Sequence, residues 1–135
     1  MTEKELIIAA IAAREKAYTP YSHFKVGAAL EGDSGQIYGG CNIENAAYTP
    51  SNCAERTAFF KAVSQGERTF KRIAIVAGPE GGNLLHTTPC GVCRQVMMEF
   101  CKPESFEILV ATSPEQYKTY TLRDLLPEGF GPDNL

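Results

Sequence analysis

No run of apolar residues in this 135-residue chain approaches the roughly 18 that a bilayer-spanning helix requires. The stretch from Met1 to Ala17 carries Glu3, Lys4, Glu5, Arg14, Glu15 and Lys16 around a short apolar segment, which is not the pattern of a secretory signal. A cytosolic protein with no membrane partner is expected. An excess of positive charge is also missing: 13 Lys and Arg stand against 16 Asp and Glu, for a formal net charge of -3, and the basic residues are scattered in ones and twos. Without a basic stripe the chain is poorly equipped to grip a phosphate backbone, so a small uncharged partner is expected rather than a nucleic acid polymer. There is no internal repeat, linker or low-complexity segment. With 44% hydrophobic and 21% charged residues, residues 1–135 are expected to form a single domain that buries roughly two-thirds of its unfolded surface. Such a domain needs no disulfide staples, and five cysteines cannot all pair within one chain. Some of the thiols are therefore expected to serve another purpose.

Hydrophobic spacing divides the chain into alternating elements. Thr2 and Glu5 form a capping box ahead of Leu6, Ile7, Ala10, Ile11, Ala13 and Ala17, which predicts an amphipathic helix stopped near Pro20. Phe24 to Leu30 and Gln36 to Asn42 flank the turn-rich Gly32-Asp33-Ser34-Gly35 and read as a hairpin. A polar loop from Ile43 to Asn52 leads to a helix over Cys53 to Val63, with Ala54, Ala58, Phe59 and Ala62 as its buried stripe. Arg72 to Ala77 reads as a strand buried on both faces. Thr88 is the expected cap of a helix opening at Pro89-Cys90 and running to Cys101. Phe106 to Ala111 is a further strand, and Leu122 to Leu126 a short helix. The order α-β-β-α-β-α-β belongs to an α/β domain whose helices cover one sheet.

Three cysteines fall at two helix starts, in Cys53-Ala54-Glu55 and Pro89-Cys90-Gly91-Val92-Cys93. Thiolates suit zinc, and a C-x-x-C pair at a helix start can aim both sulfurs at one metal. Three ligands leave a fourth tetrahedral position free, the arrangement of catalytic rather than structural zinc. Glu55 would lie beside a water in that position as proton acceptor and donor. Taken alone, the C-x-x-C pair is also compatible with a redox couple or half of a structural zinc site. A redox couple explains neither Cys53 nor Glu55, and Cys41 and Cys101 are badly placed to close a four-thiol knuckle. Those two are expected to be small buried hydrophobes. Three thiolates around one dication give a negative site, so a compensating cation is expected. Arg56, in the first helical turn, could hydrogen-bond the sulfurs, and Arg94-Gln95 could do the same or be solvated.

These residues resemble the cytidine deaminases of the small type with three cysteine ligands; a C-x-E segment followed by P-C-x-x-C is the zinc deaminase signature. The resemblance extends to Tyr21-Ser22-His23-Phe24-Lys25-Val26-Gly27-Ala28-Ala29-Leu30, Asn42-Ile43-Glu44-Asn45-Ala46, Cys53-Ala54-Glu55-Arg56-Thr57-Ala58 and Pro89-Cys90-Gly91-Val92-Cys93-Arg94-Gln95-Val96, in family order over most of the chain. It implies a three-layer α-β-α sandwich with a mixed five-stranded sheet. It also implies one Zn2+ per chain on Cys53, Cys90 and Cys93, with Glu55 as the catalytic carboxyl. By the same resemblance Asn42 and Glu44 hydrogen-bond the ribose 3′-hydroxyl, and Phe24 packs against the pyrimidine. Backbone groups around Ala54 and Cys90 would anchor the exocyclic amine. A homotetramer is implied, with Phe130 where a neighbouring subunit contributes an aromatic. Val92 replaces a commoner alanine, and Gly81-Gly82-Asn83-Leu84 lengthens the loop before the second ligand pair. The implied reaction is hydrolytic deamination of cytidine and 2′-deoxycytidine, a pyrimidine-salvage activity. Its rivals are a blasticidin-type aminopyrimidine nucleoside deaminase, a polynucleotide-editing deaminase and a non-catalytic zinc-stabilised binding module.

Overall fold

Thr2 opens the first helix as its capping box predicts. In the computed structural model, which describes residues 1–135, its hydroxyl accepts from the Glu5 amide and the Glu5 carboxylate accepts from the Thr2 amide, both at 3.1 Å. Helix α1 spans Glu3–Arg14 and stops well before Pro20. Beyond it the backbone enters extended pairing instead: the Tyr18 amide donates to Asn42 O at 3.0 Å, and the Glu44 amide to Tyr18 O at 2.9 Å. Arg14 holds this end in place by donating to the carbonyls of Lys25 at 2.9 Å, Gly78 at 2.8 Å and Pro79 at 3.1 Å.

The remaining elements are β1 (Phe24–Gly32), β2 (Ile37–Cys41), α2 (Ala54–Ser64), β3 (Phe70–Pro79), α3 (Gly91–Phe100), β4 (Glu107–Ala111), β5 (Tyr117–Thr121) and α4 (Leu122–Leu125). The strands form one sheet in the order β2-β1-β3-β4-β5, with β3 and β4 parallel and every other pair antiparallel. Strand β5 is absent from the element order read along the sequence. Its Tyr-Lys-Thr-Tyr-Thr run is an edge strand with little burial, so it lacks the apolar stretch that marks β3 and β4.

Period-two alternation sorts the sheet's side chains onto two faces. Ala29, Ala74, Val76, Leu109 and Ala111 face α1, where Leu6, Ile7 and Ala10 close a small core. Ala28, Leu30, Ile73, Ile75, Ile108 and Val110 face α2 and α3 and meet Phe59, Met97, Phe106 and Leu122 in the larger core. Phe59 and Phe70 pack edge to face, with centroids 5.1 Å apart. The result is the three-layer α-β-α sandwich. Burial of each large aliphatic or aromatic side chain here stabilises the fold by roughly 1.5–3 kcal/mol.

Two glycines set the distance between layers. A Cβ on Gly27 would lie 2.2 Å from Ala10 O of α1, and one on Gly40 would lie 2.3 Å from Ala54 O of α2. The second contact seats the first turn of α2 directly on β2.

Candidate active site

Cys53 and Cys90 occupy the N-cap positions of α2 and α3, both with extended backbone. Thr88 is therefore not the cap of α3. The Cys90 sulfur takes that role and faces the Cys93 amide at 3.5 Å, while the Thr88 hydroxyl accepts from Arg94 at 3.0 Å. Cys93 lies one turn into α3 and is buried. The two helices point their N-termini at one place, so the sulfurs of Cys53, Cys90 and Cys93 all lie within 4.8 Å of one another. Partial positive charge from both helix ends favours thiolate there.

The cluster fits zinc. Four-coordinate zinc with bonds of about 2.3 Å sets its sulfurs about 3.8 Å apart, and the Cys53 and Cys90 sulfurs are 3.7 Å apart. Neither remaining cysteine joins the group. Cys101 is buried, as expected of a small hydrophobe. Cys41 is only half-buried, because it ends β2 at the edge of the sheet.

Arg56 reaches both helices. It donates from Nη2 to Cys53 Sγ at 3.2 Å and from Nε to Cys93 Sγ at 3.4 Å. Hydrogen bonding from the Cys93 thiol, joined by Arg56 and Cys90, lowers the Cys53 pKa to about 5. The Cys93 thiol, as donor to Cys53 and largely buried, is pushed upward. Burial opposes the Arg56 charge, but its hydrogen bonds to the two sulfurs more than compensate and hold it protonated.

Glu55, one residue into α2, is 4% exposed. Burial, reinforced by the charge on Cys53, raises its carboxyl to about 7. A group poised there can hold or release a proton at neutral pH, which suits a general acid-base.

A cleft of about 320 Å³ opens above these groups, with Glu44, Ser51, Thr87 and Thr88 at its walls and Cys53, Glu55, Arg56 and Cys90 among its lining. A larger concavity of about 1010 Å³ runs beside the C-terminal end of α3, but its charged lining of both signs includes none of these groups. Chemistry selects the smaller cleft.

Asn42 and Glu44 both line it. Bridges from Ile43 to Tyr18 and to Asn52 hold this segment beside the start of α2. The Asn42 side chain extends the β1 ladder, accepting from the Val26 amide and donating to Phe24 O, each at 2.8 Å. The Glu44 carboxylate accepts from the amides of Tyr21 at 3.0 Å and Ser22 at 3.1 Å and from the Ser22 hydroxyl. The hydroxyl above all holds its pKa below the usual carboxylate range. Three other residues stand outside the cleft lining. Half-buried Phe24 shares the face of β1 that carries Val26, two residues further on. Ala54 is fully buried against Gly40. Phe130 is 59% exposed, its carbonyl accepting from Gln95 at 2.8 Å. Arg94 does not reach the sulfurs. Val26, Ser51, Asn52, Ile75, Thr87 and Thr88 line the cleft without having been picked out by spacing. Ser51 and Asn52, directly before Cys53, and Thr88, directly before Pro89-Cys90, carried a positional signal.

A mixed α/β sandwich that gathers three thiols and a buried carboxyl at two helix N-termini defines a zinc-dependent deaminase. The family model "Cytidine and deoxycytidylate deaminase zinc-binding region" matches residues 1–107. A cytidine deaminase of Sporosarcina psychrophila is 50% identical over 135 residues, covering 100% of this chain and 96% of its own. One from Halalkalibacterium halodurans is 44% identical, with 100% and 98% covered. The crystal structure of cytidine deaminase from Burkholderia pseudomallei superposes with a TM-score of 0.86 at 48% identity, covering 96% of this chain and all of that one. The chain belongs to the cytidine deaminase family.

Proposed function

We propose that the protein hydrolyses cytidine and 2′-deoxycytidine to uridine and 2′-deoxyuridine, taking up one water and releasing one ammonia. Residues 1–135 act as one catalytic domain, in the cytosol where thiols stay reduced. The observation that carries this reading is the buried Glu55 carboxyl, raised to about 7 beside three clustered thiols.

Cys53, Cys90 and Cys93 would hold the zinc, which when bound supplies the Lewis acidity that makes water a nucleophile at neutral pH. Glu55 would accept the first proton that the attacking water loses and pass it to ring N3. It would then take the proton of the hydroxyl now on C4 and hand it to the amine, which leaves as ammonia while the C4 carbonyl forms. Its burial suits both duties, because neither protonation state is strongly preferred. Arg56 offsets the negative charge of the thiolates through hydrogen bonds to two of them. Glu44, kept ionised and immobile by three donors, has lone pairs left for a ribose hydroxyl. Asn42 commits one of its two side-chain N–H groups to Phe24 O, leaving the other for the same hydroxyl. Phe24 packs on the base, and the backbone at Ala54 receives the exocyclic amine. The occupant is an uncharged nucleoside, in a cleft whose lining includes two carboxyls and whose single arginine is engaged by sulfur.

We propose further that four chains assemble around these clefts, with Phe130 of one chain completing the cleft of another. Tyr21, Tyr48 and Val92 are exposed on segments that carry or hold a cleft residue, and Phe130 is exposed with its carbonyl tied to Gln95 of α3.

The direct test follows cytidine absorbance after addition of purified, zinc-loaded protein, with cytosine and cytidine monophosphate as controls. Cytidine is expected to be consumed and both controls spared. Glu55→Ala is expected to retain about one zinc per chain yet lose at least roughly 1000-fold in turnover, as removal of a group serving two proton transfers demands. Normal turnover by that variant would sink the mechanism. Zinc binding without turnover of any nucleoside by the unaltered chain would instead favour a binding module.

A further inference from the structure

The stretch between β3 and α3 reaches the cleft with little backbone support. After the bridge from Leu85 to Ala77, residues 86–90 belong to no helix or strand, and no amide of His86, Thr87 or Thr88 donates to a backbone carbonyl. Yet this stretch supplies Thr87, Thr88 and the Cys90 thiol. Something else must fix its course.

Arg94, half-buried in the first turn of α3, is the group that does so. Its Nε donates to Pro89 O at 2.6 Å, one terminal nitrogen to Thr88 Oγ1 at 3.0 Å and the other to Leu125 O at 2.5 Å. Its own amide donates to Cys90 O at 3.0 Å. All three side-chain acceptors are neutral, and no carboxylate forms an ion pair with it. What the site uses is therefore the planar fork rather than the charge, and a lysine cannot present that fork. Leu125 ends α4, so the same guanidinium braces the Thr88–Pro89 stretch against the C-terminal part of the fold.

We infer that Arg94 is a positioning residue: it holds Thr88 and Pro89 so that the Cys90 thiol and the Thr88 wall meet at the cleft. The inference rests on Cys90 being a metal ligand. Partners that orient ligands in this way are typically worth 10- to 100-fold in metal affinity.

The test compares the full-length protein with Arg94→Met, Arg94→Lys and Arg14→Met. Arg14 is a matched control, since its side chain also makes three hydrogen bonds to neutral acceptors, all backbone carbonyls, but at the end of α1. Zinc affinity is read by competition with a chromophoric chelator, ligand geometry by the thiolate-to-cobalt charge-transfer band of the Co2+ form, and substrate handling by separate KM and kcat. Arg94→Met is expected to weaken zinc roughly 10- to 100-fold, to shift the cobalt band, and to raise KM more than it lowers kcat. Arg94→Lys should recover only part of each. Arg14→Met should lose stability while keeping zinc affinity and the band.

Wild-type affinity and spectrum in Arg94→Met would overturn the inference. So would full recovery in Arg94→Lys, which would make charge the relevant property, or an equal zinc loss in Arg14→Met, which would make the effect a general loosening. Should Arg94→Met fail to fold, the partial loss expected of Arg94→Lys decides the matter alone. Failure of the unaltered chain to bind about one zinc would remove the ligand assignment itself, and the role of Arg94 with it.

Discussion

At the scale of single residues, the acid-base role proposed for Glu55 is set against stability. The folded chain keeps its carboxyl protonated to about pH 7, whereas an unfolded carboxyl gives up its proton near 4.5. Between those values the native state binds more protons than the unfolded one, so stability falls as pH rises through this window and the whole penalty is present above 7. A shift of that size corresponds to a few kcal/mol, on the order of 3. Glu55→Gln preserves the shape and cannot ionise. In metal-free protein it is expected to exceed the wild type in stability above pH 7 by up to about that amount, with the gap closing below pH 4.5. Urea unfolding across a pH series measures the difference. Cys53 acts in the opposite sense, its thiol being lowered from 9 to about 5, but it is common to both proteins and largely drops out. A gap that does not change with pH would show that Glu55 is not perturbed by burial. The thiols, Glu55 and Arg56 were legible in the sequence because each is fixed by local spacing at a helix start. Thr87 and Thr88 were not, since they lie in a stretch without regular structure whose spacing does not say where its side chains point. The two alternatives open for Arg94, sulfur or solvent, both gave way to Pro89, Thr88 and Leu125, because sequence adjacency to Cys93 says nothing of where a guanidinium ends.

Among elements, the seating of α2 on β2 decides where Cys53 and Glu55 stand. Gly40 has no room for a side chain: its Cβ would meet backbone atoms of Ala54 at 2.3 Å and Ala58 at 2.6 Å, which cannot rotate away. Gly40→Ala is expected to push the first turn of α2 off the sheet, costing about 1–3 kcal/mol and lowering zinc content. Gly27→Ala makes the same kind of clash under α1, on the other face of the sheet, where Ala10 O would lie 2.2 Å away. It should cost similar stability while leaving about one zinc per chain, so unfolding and metal analysis of the pair separate the two layers. Equal zinc content in the two variants would mean that α2 does not need this contact to hold Cys53. The helix starts and the buried strands could be read from capping residues and apolar runs. The end of α1 could not, because pairing of Tyr18 with Asn42 and Glu44 prevails over the alanine-rich helical pattern. Nor was β5 placed among the strands, its alternation of Tyr and Thr lacking an apolar flank.

For the whole molecule the remaining question is what covers the rim of the cleft. Tyr48 is 77% exposed and held at a positive φ of 61° in the loop that ends at Ser51, a conformation unusual for an aromatic residue. Val92 projects from the first turn of α3 between the two cysteines of its pair, and Tyr21 from the loop whose amide holds Glu44. Phe130 is anchored through its carbonyl to Gln95 on α3, leaving its ring outward. Exposed large apolar side chains of this kind mark an interaction surface, and closed symmetry lets copies of one chain cover it mutually. Sedimentation equilibrium is expected to return a mass near four times the 14.7 kDa of one chain. Phe130→Ala, which leaves the Gln95 contact to the backbone in place, is expected to shift the population toward smaller species and to raise KM while zinc content stays at one per chain. The KM effect should fade as protein concentration is raised if assembly completes the cleft, and persist unchanged if the ring acts within its own chain. A fully active monomer at micromolar concentration would exclude the shared-cleft arrangement and leave the exposed aromatics without a role in substrate binding.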